Sequence, residues 1–412
     1  MSKLKYLDLF AGAGGLSEGF LQTGAFDEVA SVEWMAPQVE TLRNRLKNKW
    51  GYQDADSSVL HFDIQREEEL FNGWDDSKFG KSPGLDYFVN KSNGIDVVLG
   101  GPPCQAYSIA GRVRDENGMH DDYRNYLFEH YLNIVNRYQP SVFVFENVPG
   151  LLSAKPGGVA VTELIKKGFD KIGYEIIDDL KNAVVNASDY GVPQNRKRII
   201  LLGVNKEKFK NSNIQQILED FYKFTLPSKK VEKPVTVLEA IGDLQKFKPI
   251  FEEDAHKNRD VYSPIDSTGA MISSHIPRYQ NIRDMKIFQL LAKDLEDGTE
   301  KYTNSSALTN LYEKHVGSKS QIHRYHVLRP DSPSTTIIAH LHKDGNRFIH
   351  YDSAQARTIT VREAARLQSF PDDFEFIGSR GAQYQMIGNA VPPLLAKVIG
   401  NCVIEFVKKH HS

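Results

Sequence analysis

Of the residues able to do covalent chemistry, Cys104 stands out: it is one of two cysteines in 412 residues and lies in the run Gly100-Gly101-Pro102-Pro103-Cys104-Gln105. A thiolate is intrinsically a strong nucleophile, so a covalent intermediate is the chemistry such a thiol could carry. A free cysteine is more often a small buried hydrophobe, so the reading needs partners. Two acids stand in comparable places, Glu33 after the apolar run 29–32 and Glu146 after the apolar run 141–145. Gly12, Gly14 and Gly15 follow a further apolar run at 5–10. Glycines there let a ligand approach the backbone where a helix begins. The dinucleotide fingerprint Gly-x-Gly-x-x-Gly fails at Ser17, counting from Gly12. Glu33, about 20 residues past the glycine turn, is where a carboxylate can accept hydrogen bonds from ribose hydroxyls. Together these residues indicate an adenosine-bearing cofactor without a bound pyrophosphate.

Positioning them takes alternating strands and helices. Strands are expected at 5–10, 29–32, 59–62 (followed by Asp63), 96–99, 141–145, 174–183 and 198–204, with helices at 16–21, 37–49, 126–138 and 160–172. That alternation predicts an α/β, doubly wound, mostly parallel sheet, with Cys104 at the carboxyl end of a strand, where such sheets bind ligands. Residues 66–94 read as a surface excursion. The polar stretch 107–124, marked by Gly111 and Gly118, reads either as a mobile lid beside the chemistry or as a plain surface loop. Past Val204 the alternation is lost and prolines punctuate a polar, irregular region. The expected organisation is a catalytic and cofactor-binding domain over 1–204, a second, smaller irregular domain over 205–380, and a return to the first over 381–412.

Composition is that of a soluble globular chain, with 40% hydrophobic and 25% charged residues. The start of the chain carries no apolar signal, and no run approaches the ~18 apolar residues of a membrane span, so a cytoplasmic protein is expected. Cys104 and Cys402, far apart, fit a reducing compartment rather than a disulfide framework. Net charge is −2 but unevenly spread: residues 1–100 carry 16 acids against 10 Lys+Arg, and residues 190–234 carry 10 Lys+Arg against 4 acids. The basic region is either a polyanion footprint or a solvated lysine-rich linker. His323, His326, His340, His342 and His350 lack the spacing of a zinc site, so no metal is expected.

Taken together, the motifs resemble the DNA (cytosine-5)-methyltransferase family in its prokaryotic restriction-modification form. Six ordered blocks carry the resemblance: Asp8 to Gly15, Gly100 to Gln105, Glu146 to Val148, Gln194 to Arg198, Arg357 to Glu363 and Gly388 to Pro393. The match covers residues 1–204 and 325–405. It implies a Rossmann-like fold that uses S-adenosyl-L-methionine, in line with the adenosine reading, and it makes the 205–380 region a target-recognition domain. By matching positions, Phe10 and Trp34 would pack on the adenine, Glu33 would bind the ribose and Asp63 the adenine amino group. Gly12, Gly14, Pro103, Leu127 and Asn389 would complete the pocket. Cys104 would add to cytosine C6, Glu146 would hydrogen-bond N3 and the exocyclic amine, Arg198 would meet O2, and Arg196 would stand near thiol and acid. Gln105, Ser108 and Arg112 would touch DNA, with 105–125 closing over a flipped-out base. Ala110 stands where some relatives have serine, so a hydroxyl contact there is in question.

The resemblance implies double-stranded DNA as partner and a monomer that does not bind membranes. It leaves room for a cognate restriction endonuclease acting on the same site without stable contact. Three rivals remain. An RNA methyltransferase of the same fold would carry a Cys-Phe-Thr motif, whereas the second cysteine here, Cys402, falls in the expected final helix. An inactive DNA-binding relative is opposed by the intact Cys104, Glu146, Arg196 and Arg198. A dinucleotide oxidoreductase leaves Cys104 without a role.

Overall fold

Short runs of β-branched and aromatic residues need both faces covered, and the chain builds its central sheet from them. A computed structural model describes residues 2–102, 127–155, 158–265, 272–317 and 325–410. In chain order the strands are β1 (Leu4–Leu9), β2 (Phe26–Glu33), β3 (Val59–His61), β4 (Trp74–Asp76), β5 (Gly80–Ser82), β6 (Val97–Gly100), β7 (Val142–Asn147), β8 (Tyr174–Glu175), β9 (Val184–Asn186), β10 (Lys197–Asn205), β11 (Phe247–Pro249) and β12 (Tyr262–Pro264). The main sheet runs β3-β2-β1-β6-β7-β10-β8, with β9 also on β10, while β4–β5 and β11–β12 are separate hairpins. Pairing is parallel from β3 to β7 and antiparallel at β10. This is the mostly parallel α/β sheet that the alternation of elements predicts. Val97, Val98, Leu99, Val142, Phe143 and Val144 are wholly buried. Phe143 stacks on Phe169 of the Val161–Lys171 helix at 4.1 Å. Each such side chain contributes roughly 1.5–3 kcal/mol.

The chain divides into two units: residues 1–191, 196–232 and 390–412 form the first, and 192–195 with 233–389 the second. The expected boundary at 204 moves to 232 because Tyr222 is tied to the middle of β10, donating to Ile200 O (2.9 Å) and accepting from Leu202 N (2.7 Å). The return falls at 390 rather than 381 because Tyr384 of the Arg380–Asn389 helix donates to Ile359 O (2.7 Å) inside the second unit. The basic region is largely used internally: Lys206, Lys229 and Lys230 pair with Asp170, Glu405 and Asp189, and Lys208 donates to Gln139 O. These lysines thus have partners within the chain while staying partly exposed.

Other expectations need correction. Residues 66–94 are no loose excursion: they form the helices Glu67–Asn72 and Leu85–Lys91 around the β4–β5 hairpin, burying Leu70, Phe71, Trp74, Leu85 and Phe88. The strand expected over 174–183 is confined to β8, because Leu180–Ala183 turns into a 3-10 segment before β9. The stretch Arg380–His410 is long and apolar enough by composition to cross a membrane. Its Pro393–His410 helix, however, buries Leu395, Ala396, Ile399, Cys402, Val403 and Phe406 in the first unit, so its apolar side is a core face.

The second unit is more regular than expected. Asn281 and Asn304 cap the helices Ile282–Glu296 and Ser305–Val316, accepting from Asp284 N (2.8 Å) and Ala307 N (2.9 Å). Their apolar faces join Ile287, Phe288, Leu291, Leu308, Leu311 and Ile349 in one cluster. Nearby, wholly buried Arg357 grips Glu363 through its two terminal guanidinium nitrogens at 2.7 Å, and Glu363 closes a capping box with Thr360.

His350 lies beside this pair, its Nε2 3.5 Å from Glu363, while its Nδ1 accepts from Asp352 N (3.1 Å). Burial, followed by the Arg357 charge, pushes His350 down to about 3, with Glu363 and Asp352 opposing. A histidine held neutral in the folded state loses stability as pH falls below its unfolded value. Wild-type unfolding free energy should drop by about 2 kcal/mol between pH 7 and pH 5 from this group. Urea titrations of wild type and His350→Asn check this: the variant should lack that part of the drop, and equal drops would contradict it.

Candidate active site

Because β1, β2, β6 and β7 run parallel, their carboxyl ends share one edge of the sheet, where ligands bind in such folds. β1 leads there into a tight turn in which Phe10 (φ 57°), Gly12 (φ 57°) and Gly14 (φ 84°) are all left-handed. At Gly14 a side chain would be strained by this φ, and its Cβ would also push against Leu42 Cδ1 at 2.5 Å. For a phenylalanine the same region is strained by roughly 1–3 kcal/mol, the kind of strain that clusters at ligand sites.

Glu33, buried at the end of β2, faces this turn. Its Oε2 accepts from Gly12 N (2.9 Å), and its Oε1 accepts from Trp34 N (3.0 Å) and Met35 N (2.9 Å). Burial pushes the carboxyl up, and the three backbone donors oppose it. A carboxylate offers about four lone-pair sites, so roughly one remains for a ligand hydroxyl. Trp34 itself is 55% exposed, unusual for so large an aromatic. At the end of β3, half-buried Asp63 accepts from Gln65 N and Nε2 through Oδ1 (3.1 and 3.3 Å). Leu127 is buried at the start of the Leu127–Tyr138 helix, and Asn389 is exposed at the end of its helix in the second unit. A left-handed turn, a carboxylate with spare acceptor capacity and an exposed aromatic fit an adenosine group well.

The second constellation lies on β6, β7 and β10. Antiparallel β10 begins where the parallel strands end, with Ile199 opposite Asn147 and Ile200 opposite Glu146. The reversal brings Arg198 to Glu146, Nε to Oε1 at 2.8 Å, with both side chains more than four-fifths buried. Arg196 is 1% exposed. Burial and the like charge of Arg198 press its guanidinium toward losing its proton, while Glu146 opposes them. An arginine's intrinsic basicity keeps it charged even so. Glu146 also lies against the β6 exit, since a Cβ at Gly101 would meet its Oε2 at 2.7 Å. Asn147 Nδ2 donates to Pro102 O (3.3 Å), fixing the backbone that leads toward Cys104. Pro103, Cys104, Gln105, Ser108 and Arg112, with the 105–125 stretch expected to be a lid, lie outside the described residues. The structure thus brings Phe10, Gly12, Gly14, Glu33 and Trp34 together at one corner and Glu146, Arg196 and Arg198 at another.

Two side-chain contacts went unread in the sequence, although Asp8 itself opens the first motif block. Asp8, fully buried near the end of β1, accepts from Ser17 Oγ (2.7 Å), and burial raises it to about 8, with Ser17 opposing. The position where Ser17 breaks the dinucleotide fingerprint was the signal available. His61 reaches Trp34 O through Nε2 (3.0 Å). Its signal was only its place before Asp63. Among the described residues no group of acids, histidines and cysteines could hold a metal.

Replacing Glu146 by Gln would remove the carboxylate that pairs with Arg198 and offsets the like charges of Arg196 and Arg198. The pair keeps slight solvent access, so the expected loss of stability is about 2 kcal/mol, below that of a fully buried pair. Chemical denaturation of Glu146→Gln measures it, and stability equal to wild type would contradict this electrostatic reading.

The profile of the C-5 cytosine-specific DNA methylase family matches residues 4–405. Type II methyltransferase M.Bpa9945I of Bacillus paralicheniformis is 35% identical, covering 98% of this chain and 99% of its own. Type II methyltransferase M1.HphI of Haemophilus parahaemolyticus is 32% identical over 98% of this chain and 87% of its own. Among solved structures, a prophage-encoded chain from E. coli described as a DNA modification methyltransferase aligns with a TM-score of 0.61 at 25% identity, over 98% of this chain and 100% of its own. The S. pombe Dnmt2 methyltransferase shares the fold, with a TM-score of 0.53 at 17% identity over 99% of both chains.

Proposed function

The chain belongs to the C-5 cytosine-specific DNA methylase family and is a DNA (cytosine-5)-methyltransferase of the restriction-modification type, and from that premise we propose how its residues divide the work. Cytosine C5 is too poor a nucleophile to take a methyl group unaided. The Cys104 thiolate adds to C6, forming the C6–S bond and moving the C5–C6 electron pair to C5. Glu146 hydrogen-bonds N3 and the exocyclic amine, so that protonation at N3 draws electrons from C6 as the thiolate attacks. Arg198 orients Glu146 and meets O2, and Arg196 holds positive charge beside them. S-adenosylmethionine supplies the electrophilic methyl on its sulfonium. C5 then sheds its proton and the thiolate leaves, restoring the ring.

Glu33 takes a ribose hydroxyl with its remaining acceptor site, and Phe10 and Trp34 flank the adenine. Asp63 keeps Oδ2 for the adenine amino group, and the turn at Gly12 and Gly14 admits the ligand to the backbone. Pro103, Leu127 and Asn389 complete the pocket. A duplex hides C6, so the base is flipped out, with Gln105, Ser108 and Arg112 contacting DNA. The second unit reads the sequence of double-stranded DNA. The enzyme works as a monomer and protects its sites from an endonuclease that cleaves them unmethylated. The observation that carries this reading is the Glu146–Arg198 pair, 2.8 Å apart and set against Gly101 at the exit of β6.

Transfer of labelled methyl from S-adenosylmethionine to unmethylated duplex DNA, with tRNA in parallel, tests it. Label is expected on DNA cytosine at one sequence, and that sequence should change in a chimera carrying residues 233–389 of a relative. Label on tRNA alone, or an unchanged sequence in the chimera, would contradict the corresponding part.

A further inference from the structure

The cofactor corner raises a physical question: what holds an exposed tryptophan ready to stack? Both backbone polar groups of Trp34 are engaged. Its N–H donates to Glu33 Oε1 (3.0 Å), and its carbonyl lies 3.0 Å from His61 Nε2. A carbonyl only accepts, so Nε2 carries the proton in this contact. The β2–β3 ladder ends with Glu33 opposite His61, and Phe62 N donates to Glu33 O (3.0 Å). The imidazole thus extends the ladder by one hydrogen bond beyond the last strand pair.

His61 is in turn buttressed. Phe79, in the turn between β4 and β5, sets its ring edge-on to the imidazole (centroids 5.1 Å apart, 78° between planes). Phe79 also meets Phe62 at 5.2 Å, and Phe62 stacks on Trp74 of β4 at 3.8 Å. The turn that presents Phe79 is tied down by Asp76, whose Oδ1 accepts from Lys78 N (2.7 Å) and Phe79 N (3.0 Å). Arg66 clamps the other oxygen at 2.8 Å and lies over the Phe62 ring at 4.8 Å. The region 66–94 therefore has a job beyond filling surface.

We propose that His61, braced by the β4–β5 hairpin through Phe79, is a positioning residue that fixes Trp34 for the adenine of S-adenosylmethionine, an inference that rests on reading the Glu33 corner as the site of that cofactor. Orientation fixed in advance spares part of the ordering cost of binding. Affinity for the adenosine moiety is thereby set in part by residues that do not touch it.

Calorimetric titration with S-adenosylhomocysteine tests this on wild type, His61→Ala, His61→Gln and Trp34→Ala. His61→Ala should bind about 3- to 10-fold more weakly, the span of one lost hydrogen bond. Its KM for S-adenosylmethionine should rise by the same factor while kcat at saturating cofactor holds. Gln places an amide N–H at nearly the reach of Nε2, so His61→Gln should restore most of the affinity. If His61→Ala binds as wild type while Trp34→Ala is weakened, the brace is overturned and the site stands. If Gln fails to rescue, or kcat falls together with affinity, the hydrogen-bond role is overturned in favour of general damage. Wild-type affinity in Trp34→Ala would overturn the cofactor-site reading itself.

Discussion

Antiparallel pairing of β10 with β7 is the constraint on which the active edge depends. In an all-parallel sheet the start of the last strand would lie at the edge opposite the strand ends. Reversal instead puts Arg198 beside Glu146 and commits buried Arg196 to the same neighbourhood. Two guanidinium groups and one carboxylate leave an excess of positive charge there, which suits an electron-rich carbonyl or a developing anion. The parallel pairing of β7 with β6 sets Asn147 beside Pro102, so the backbone at Pro102 is held by the strand that carries the acid.

The corner around Glu33 follows a different rule. Glu33 is buried, yet three backbone N–H groups satisfy most of its acceptor capacity before any ligand arrives. A buried carboxylate without such donors would neutralise by taking a proton, as Asp8 nearby tends to do. The two acids show environment dividing one chemistry into two roles: Glu33 keeps an acceptor face, and Asp8 serves as a partner for Ser17 within the core.

Much of this was legible in the sequence because parallel strands are buried on both faces and read as unbroken apolar runs, as in 97–99 and 142–145. The glycine turn and the strand-end acids were legible because each glycine and acid stands directly after such a run. Less legible were features decided by distant partners. Residues 66–94 look polar, and contacts with distant partners such as the stack of Trp74 on Phe62 help make them a folded layer. The boundary at 232 depends on Tyr222 reaching β10, which no local pattern announces. Charge counting read the 190–234 region as basic, but Arg196 is buried and several lysines have acidic partners. The second unit looked irregular because its helices Ile282–Glu296 and Ser305–Val316 are capped by asparagines and set amid polar sequence.

The proposed mechanism requires Cys104 to bond to C6 before the methyl group moves. The most direct test is the intact mass of the enzyme after reaction with S-adenosylmethionine and duplexes carrying 5-fluorocytosine at its methylation sites. Fluorine cannot leave C5 as a proton does, so the adduct should persist. Wild type is predicted to gain the mass of the DNA strand plus one methyl group, and Cys104→Ser none. No adduct with wild type, or an equal adduct with the serine variant, would contradict the account.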